Sequence, residues 1–131
     1  MNIEETIKYW LDSAENDFKT AKSLFDSAHY DWCLFIGHLV LEKSLKALWV
    51  NNNKDINPPR IHNLLILAKQ AQIQLEPDVE EHLDNINTFQ IECRYPEYKH
   101  EFYKLSDREF TESNFRKINE IYLWLKSMLK Y

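Results

Sequence analysis

The apolar positions fall into helical steps almost from the first residue. Ile3, Ile7, Trp10, Leu11, Ala14, Phe18, Ala21 and Phe25 recur at three- and four-residue intervals, which sets them on one face of a helix over about residues 3–27. Glu4, Lys8, Asp12, Glu15 and Lys19 take the opposite, solvated face. Asn2 followed by Glu5 has the spacing of a capping box, with Asn in place of Ser or Thr. Ser27 to Tyr30 reads as a turn, and Asp31 is placed to cap a second helix over about residues 31–52. The run WCLFIGHLVL, residues 32–41, is apolar almost all round. A helix of that kind is covered on several sides, so it predicts the centre of a bundle. Gly37 inside it predicts a place where another helix comes close.

The clearest break is NNNKDINPPR, residues 51–60: three asparagines stop the helix and two prolines keep the chain extended. A short third helix is expected over about 62–72, with Leu64, Leu65, Ala68 and Ala71 inward. Pro77 is placed to open a fourth. Its inner stripe is Val79, Leu83, Ile86, Phe89, Gln90 and Cys93, and Pro96 is expected to end it. Residues 94–106 read as an irregular, aromatic-rich segment. A last helix is expected over about 108–130, with Phe115, Ile118, Tyr122, Leu125 and Leu129 on one face. Breaks of this length join antiparallel neighbours. The expected fold is all-α: an up-and-down bundle of four long helices plus one short helix, in a single domain over 1–131.

Composition narrows this picture. The chain has 131 residues, 44% apolar and 14% aromatic, which is enough core for one ordered domain. One glycine and four prolines supply few tight turns, which argues against a β-sandwich or barrel and against a glycine-rich nucleotide cradle. Cys33 and Cys93 make neither a disulfide framework nor a CxxC zinc site, so no metal is expected. The longest apolar run is too short to cross a bilayer and no secretory leader is visible, so the expectation is a cytoplasmic protein away from membranes. The net charge of −5 argues against nucleic-acid binding through bulk charge, but not against a small basic site. The charge is uneven. Residues 76–112 carry 11 acids and 4 bases, while residues 113–131 carry 4 bases and 1 acid, a pattern that first reads as differently solvated helix faces.

Three places hold side chains with chemistry to offer. His38, Glu42 and Lys46 share one stripe of the central helix. They read first as a partly buried polar seam that satisfies itself, and second as a ligand-facing stripe with Lys43 beside it. His62 precedes an apolar helix and reads as a local cap or a hydrogen bond across the loop, with catalysis the lesser alternative. The segment Arg94-Tyr95-Pro96-Glu97-Tyr98-Lys99-His100, with Tyr103 behind it, gathers a permanent planar cation, a histidine and tyrosines. Those groups suffice for metal-free RNA cleavage: a 2′-hydroxyl attacks its own phosphate, His100 moves a proton and Arg94 steadies the charge. Tyrosines stack on bases. The plainer reading has Arg94 capping a helix C-terminus while Tyr95 and Tyr98 pack on the bundle.

In order and spacing, three motifs resemble those of the HEPN domain (higher eukaryotes and prokaryotes nucleotide-binding). They are Leu41-Glu42-Lys43-Ser44-Leu45-Lys46-Ala47-Leu48, Ile61-His62-Asn63-Leu64 and Arg94-Tyr95-Pro96. The resemblance covers nearly the whole chain and implies a bundle of about five helices. It implies a homodimer that brings the helix-end motifs of two subunits together, and for many members a minimal nucleotidyltransferase as partner of a toxin. Ribonuclease members carry an arginine, four to six residues, then a histidine; Arg94 and His100 match, although Tyr95 stands where a polar residue is usual. In some pairs the nucleotidyltransferase adds AMP to a tyrosine two residues past the histidine. That position is Phe102 here, and Tyr103 is one further. The resemblance thus implies Arg94 and His100 as catalytic residues. RNA or nucleotide contacts would come from Lys43, Lys46, Tyr95, Tyr98 and Tyr103, without a cofactor. The alternative it leaves is a non-catalytic nucleotide- or substrate-binding module working with a separate nucleotidyltransferase.

Overall fold

The structure, a computed structural model, describes residues 1–129. Among them it contains helices and no strand. The helices are α1 (Ile3–Asp26), α2 (Tyr30–Asn53), α3 (Leu64–Gln70), α4 (Pro77–Asn87), α5 (Phe89–Glu92), α6 (Pro96–Leu105) and α7 (Arg108–Ser127). The all-α bundle expected from the periodicity is present. The end expected for the last helix at residue 130 lies outside the described residues.

α1 begins as its cap spacing suggests: Asn2 Oδ1 accepts from the Glu5 backbone N–H at 2.8 Å. It ends without glycine. Ala28 takes a left-handed φ of 63°, and the His29 and Ala28 N–H groups reach back to the Leu24 and Phe25 carbonyls at 2.8 and 3.0 Å. α2 is the centre, packing on each of the other helices. Its apolar run supplies Cys33, Leu34, Val40 and Leu41 to the core, joined further along by Leu45, Leu48 and Val50. Gly37 is where α7 approaches: a Cβ there would meet Ile118 Cδ1 at 2.7 Å. α1 and α7 are joined by rings, with Phe18 stacked on Phe115 and on Tyr122 at 5.3 Å each.

The asparagines after α2 do more than stop it. Asn52 and Asn53 donate to the Ala71 and Gln70 carbonyls at 2.8 and 3.0 Å, closing the C-terminus of α3. At the other end, Asn63 caps α3 and Asn87 Oδ1 accepts from the Leu64 N–H at 2.7 Å. The loop between α2 and α3 is therefore tied down at its far end, directly after His62.

Three expectations change. Asp31 does not cap α2: the cap position is His29, and Asp31 stands inside the first turn, where an acid suits the helix dipole. The fourth helix is divided at Thr88 into α4 and α5. The irregular segment after Pro96 is instead the helix α6, ten residues long. Pro96 ends one helix and also starts the next, since proline holds its predecessor extended and suits the first helical position. Tyr95 is that extended predecessor, at ψ 131°.

Candidate functional site

Arg94 lies in the short break between α5 and α6, one residue before the cap of α6. Its Nε donates to the Gln90 carbonyl at 2.8 Å and its Nη2 to Gln90 Oε1 at 2.9 Å. The guanidinium sits 5.2 Å from the Phe35 ring centre and 5.8 Å from that of Tyr95. One edge is thus fixed, while the remaining N–H groups have no protein partner among the described residues and face solvent. The Gln90 carbonyl lies in the last turn of α5, so the capping expected of Arg94 is real. Lys99 shares that task, donating to the Cys93 carbonyl at 2.9 Å while lying over Trp32. The two tyrosines are not packed away: Tyr95 and Tyr98 are about half exposed.

Arg94, Tyr95 and Tyr98 line an open cleft of about 600 Å³, together with His62, Gln90, Ile91 and Glu97. His100 is exposed one turn into α6 but is not among the residues lining this cleft. Phe102, the position the resemblance matches to a modified tyrosine, is buried against Phe89. Tyr103 is 66% exposed.

The two lysines face elsewhere. Lys43 Nζ pairs with Asp17 Oδ2 of α1 at 2.7 Å. Lys46 is buried, pairs with Glu42 Oε2 at 3.2 Å and lies over Trp10. Both are held in ion pairs with acids of the bundle, and neither is among the residues that line the cleft.

The polar stripe of α2 is a buried seam, as its first reading has it, and it has a member that spacing could not supply. Glu42 Oε1 accepts from His62 Nδ1 at 2.8 Å, across the loop. His38 Nε2 donates to the His62 carbonyl at 3.0 Å, and its Nδ1 stands 3.9 Å from Glu42 Oε1 with no hydrogen bond. Burial pushes the His38 imidazolium down to about 4, helped by Arg94 and His62 and opposed by Glu42 and the bond to the carbonyl. His38 is therefore neutral at ordinary pH and props the backbone that carries His62. Burial also lifts the Cys33 and Cys93 thiols, to about 12 and about 11, so neither is a nucleophile.

Sequence reasoning missed Gln90 as the anchor of Arg94, although their four-residue spacing on one helical turn carries that signal. It also missed the meeting of His62 with Arg94, for which no local signal exists.

The HEPN domain family profile matches residues 7–128. The chain belongs to the HEPN domain family. No curated protein matches it. Among solved structures, this HEPN chain is similar to TT1696 from Thermus thermophilus, with a TM-score of 0.81 and 20% identity over 98% of this chain and 100% of that one. It is also similar to ST0689, an archaeal HEPN homologue, with a TM-score of 0.72 and 18% identity over 99% of each chain. At these identities the likeness is one of fold. Within the HEPN fold, the motif of residues 41–48 lies inside α2, the one at 61–64 leads into α3, and Arg94-Tyr95-Pro96 is the junction of α5 and α6.

Proposed function

We propose that this HEPN chain is a toxin-type partner of a minimal nucleotidyltransferase, and that it cleaves RNA without a metal at a site formed from Arg94 and His100 across a homodimer. The observation that carries this reading is the state of Arg94. Its guanidinium is fixed along one edge by Gln90, open along the other, and flanked by two half-exposed tyrosines. A fixed planar cation beside exposed rings suits a phosphodiester with its base. His100 is exposed but lies outside the cleft of its own subunit, so in a shared site it would be the second copy's His100 that reaches this cleft. In the reaction the 2′-oxygen attacks the adjacent phosphorus, His100 moves a proton, and Arg94 meets the charge that develops on the phosphoryl oxygens. The partner nucleotidyltransferase rests on the family resemblance, and the exposed Tyr103 is the hydroxyl open to it.

His100→Ala is expected to lower RNA cleavage in EDTA by about 10²–10⁴-fold. Helical circular dichroism should be unchanged, because the ring is exposed. Cleavage equal to that of the unaltered chain contradicts the reading.

The half-exposed Tyr95 and Tyr98 favour a second reading, since stacking serves binding without cleavage. The chain then holds a nucleotide or substrate for a separate nucleotidyltransferase. The ion pairs of Lys43 and Lys46 leave its phosphate contacts to Arg94 and His100. Calorimetry with ATP and GTP tests it, and absence of heat with both counts against it.

A further inference from the structure

We propose that His62, oriented by Glu42, is the group that takes the 2′-hydroxyl proton in the cleft beside Arg94; this rests on the ribonuclease reading above and names a second histidine for it. The hydrogen bond from the His62 ring to Glu42 decides its tautomer. A carboxylate only accepts, so the 2.8 Å contact to Glu42 Oε1 requires the proton on His62 Nδ1. In the neutral ring Nε2 is then the free base. Nδ1 points inward, to a carboxylate only 6% exposed, while the His62 side chain as a whole is 58% exposed and lines the same cleft as Arg94. The basic nitrogen is therefore on the outward edge.

The support beneath it is extensive for a loop residue. Lys46 holds the other oxygen of Glu42 at 3.2 Å, which sets the carboxylate in one orientation. The His38 ring, fully buried, donates to the backbone carbonyl of His62 itself. Asn63 and Asn87 fix the chain immediately afterwards. A carboxylate that fixes the tautomer and the orientation of an exposed imidazole is the arrangement a general base requires. Glu42 is a positioning residue, since it acts through His62.

The step balances with two imidazoles. His62 Nε2 takes the proton of the 2′-hydroxyl as the 2′-oxygen forms its bond to phosphorus. The bond from phosphorus to the 5′-oxygen breaks, and that oxygen takes a proton from the imidazolium of His100 of the partner subunit. The products are a 2′,3′-cyclic phosphate and a 5′-hydroxyl, with no oxidant, metal or further reactant.

The test is RNA cleavage in EDTA by the full chain and by His62→Ala and Arg94→Ala, each also with added imidazole. The expected result is a loss of about 10²–10⁴-fold in His62→Ala. Free imidazole should partly restore that variant and leave Arg94→Ala unrestored, with melting temperatures close to that of the unaltered chain. Full cleavage by His62→Ala beside an inactive Arg94→Ala overturns this assignment and leaves the ribonuclease reading standing. Loss in His62→Ala that imidazole does not restore, with a lowered melting temperature, assigns His62 to structure and likewise overturns it. Absence of cleavage by the unaltered chain removes the ribonuclease reading, and this assignment with it.

Discussion

His38 shows how much one buried side chain decides. It is sealed in the core, keeps one proton for the carbonyl of His62, and has no partner for a second. The folded protein resists protonating it down to about pH 4, whereas the unfolded chain protonates near 6.5. A base whose pKa is depressed by folding contributes stability above its unfolded pKa and loses it as the pH falls. Stability should therefore hold above about pH 6.5 and decline from there towards pH 4, by up to about 3 kcal/mol from this group. Urea unfolding across that range, compared with His38→Gln, measures it. The variant should lack this share of the acid-side decline, and equal slopes in both proteins would contradict the assignment. At this scale the sequence was legible where partners lie on one helix. The i, i+4 spacing of Glu42 and Lys46 predicts their ion pair, and the pair is present at 3.2 Å. For His62 it offered a hydrogen bond across the loop but not the partners, which are 20 and 24 residues away and joined to it only by the folded loop.

At the scale of elements, Gly37 is the clearest case of a residue chosen by a neighbour. Alanine there gains about 1 kcal/mol of helix propensity. Its Cβ, however, would stand 2.7 Å from Ile118 Cδ1, on a side chain with no exposed surface into which to swing. Overpacking of this kind costs about 1–3 kcal/mol. Gly37→Ala should therefore destabilise by about 1 kcal/mol in thermal or urea unfolding. In an Ile118→Val background, which lacks Cδ1, the same change should be neutral or stabilising. A destabilisation of the same size in both backgrounds would place the crowding elsewhere. The close approach was readable from a lone glycine in an apolar helix; which helix approaches was not. α6 was hidden for a different reason. Phe102 is the residue it buries, and its tyrosines face outward, so it has almost no apolar stripe to detect. Its start signals, Pro96 at the first position and Glu97 in the first turn, are present but coincide with the stop signal of the helix before it. α5 was absorbed into a longer helix because the inner stripe runs on through Phe89 and Cys93 across the break at Thr88.

At the scale of the whole molecule, the fold sorts its charges by depth. Lys43 and Lys46 neutralise acids within the bundle, while Arg94 and His100 are left at the surface around the junction of α5 and α6. Among the described residues, no helix is long and apolar enough to cross a membrane. Helices α2, α5 and α6 with the loop before α3 bring His62 and Arg94 to one cleft, and His100 stands apart from it. The proposed cleavage therefore needs two subunits to share a site. The direct measurement is RNA cleavage in EDTA by Arg94→Ala, by His100→Ala, and by the two variants refolded together. A two-fold dimer with a shared site predicts that each variant alone is inactive. The mixture should recover about a quarter of the original activity, because half of the dimers are mixed and each of these holds one intact site. Activity in either variant alone, or a mixture as inactive as its components, would contradict it.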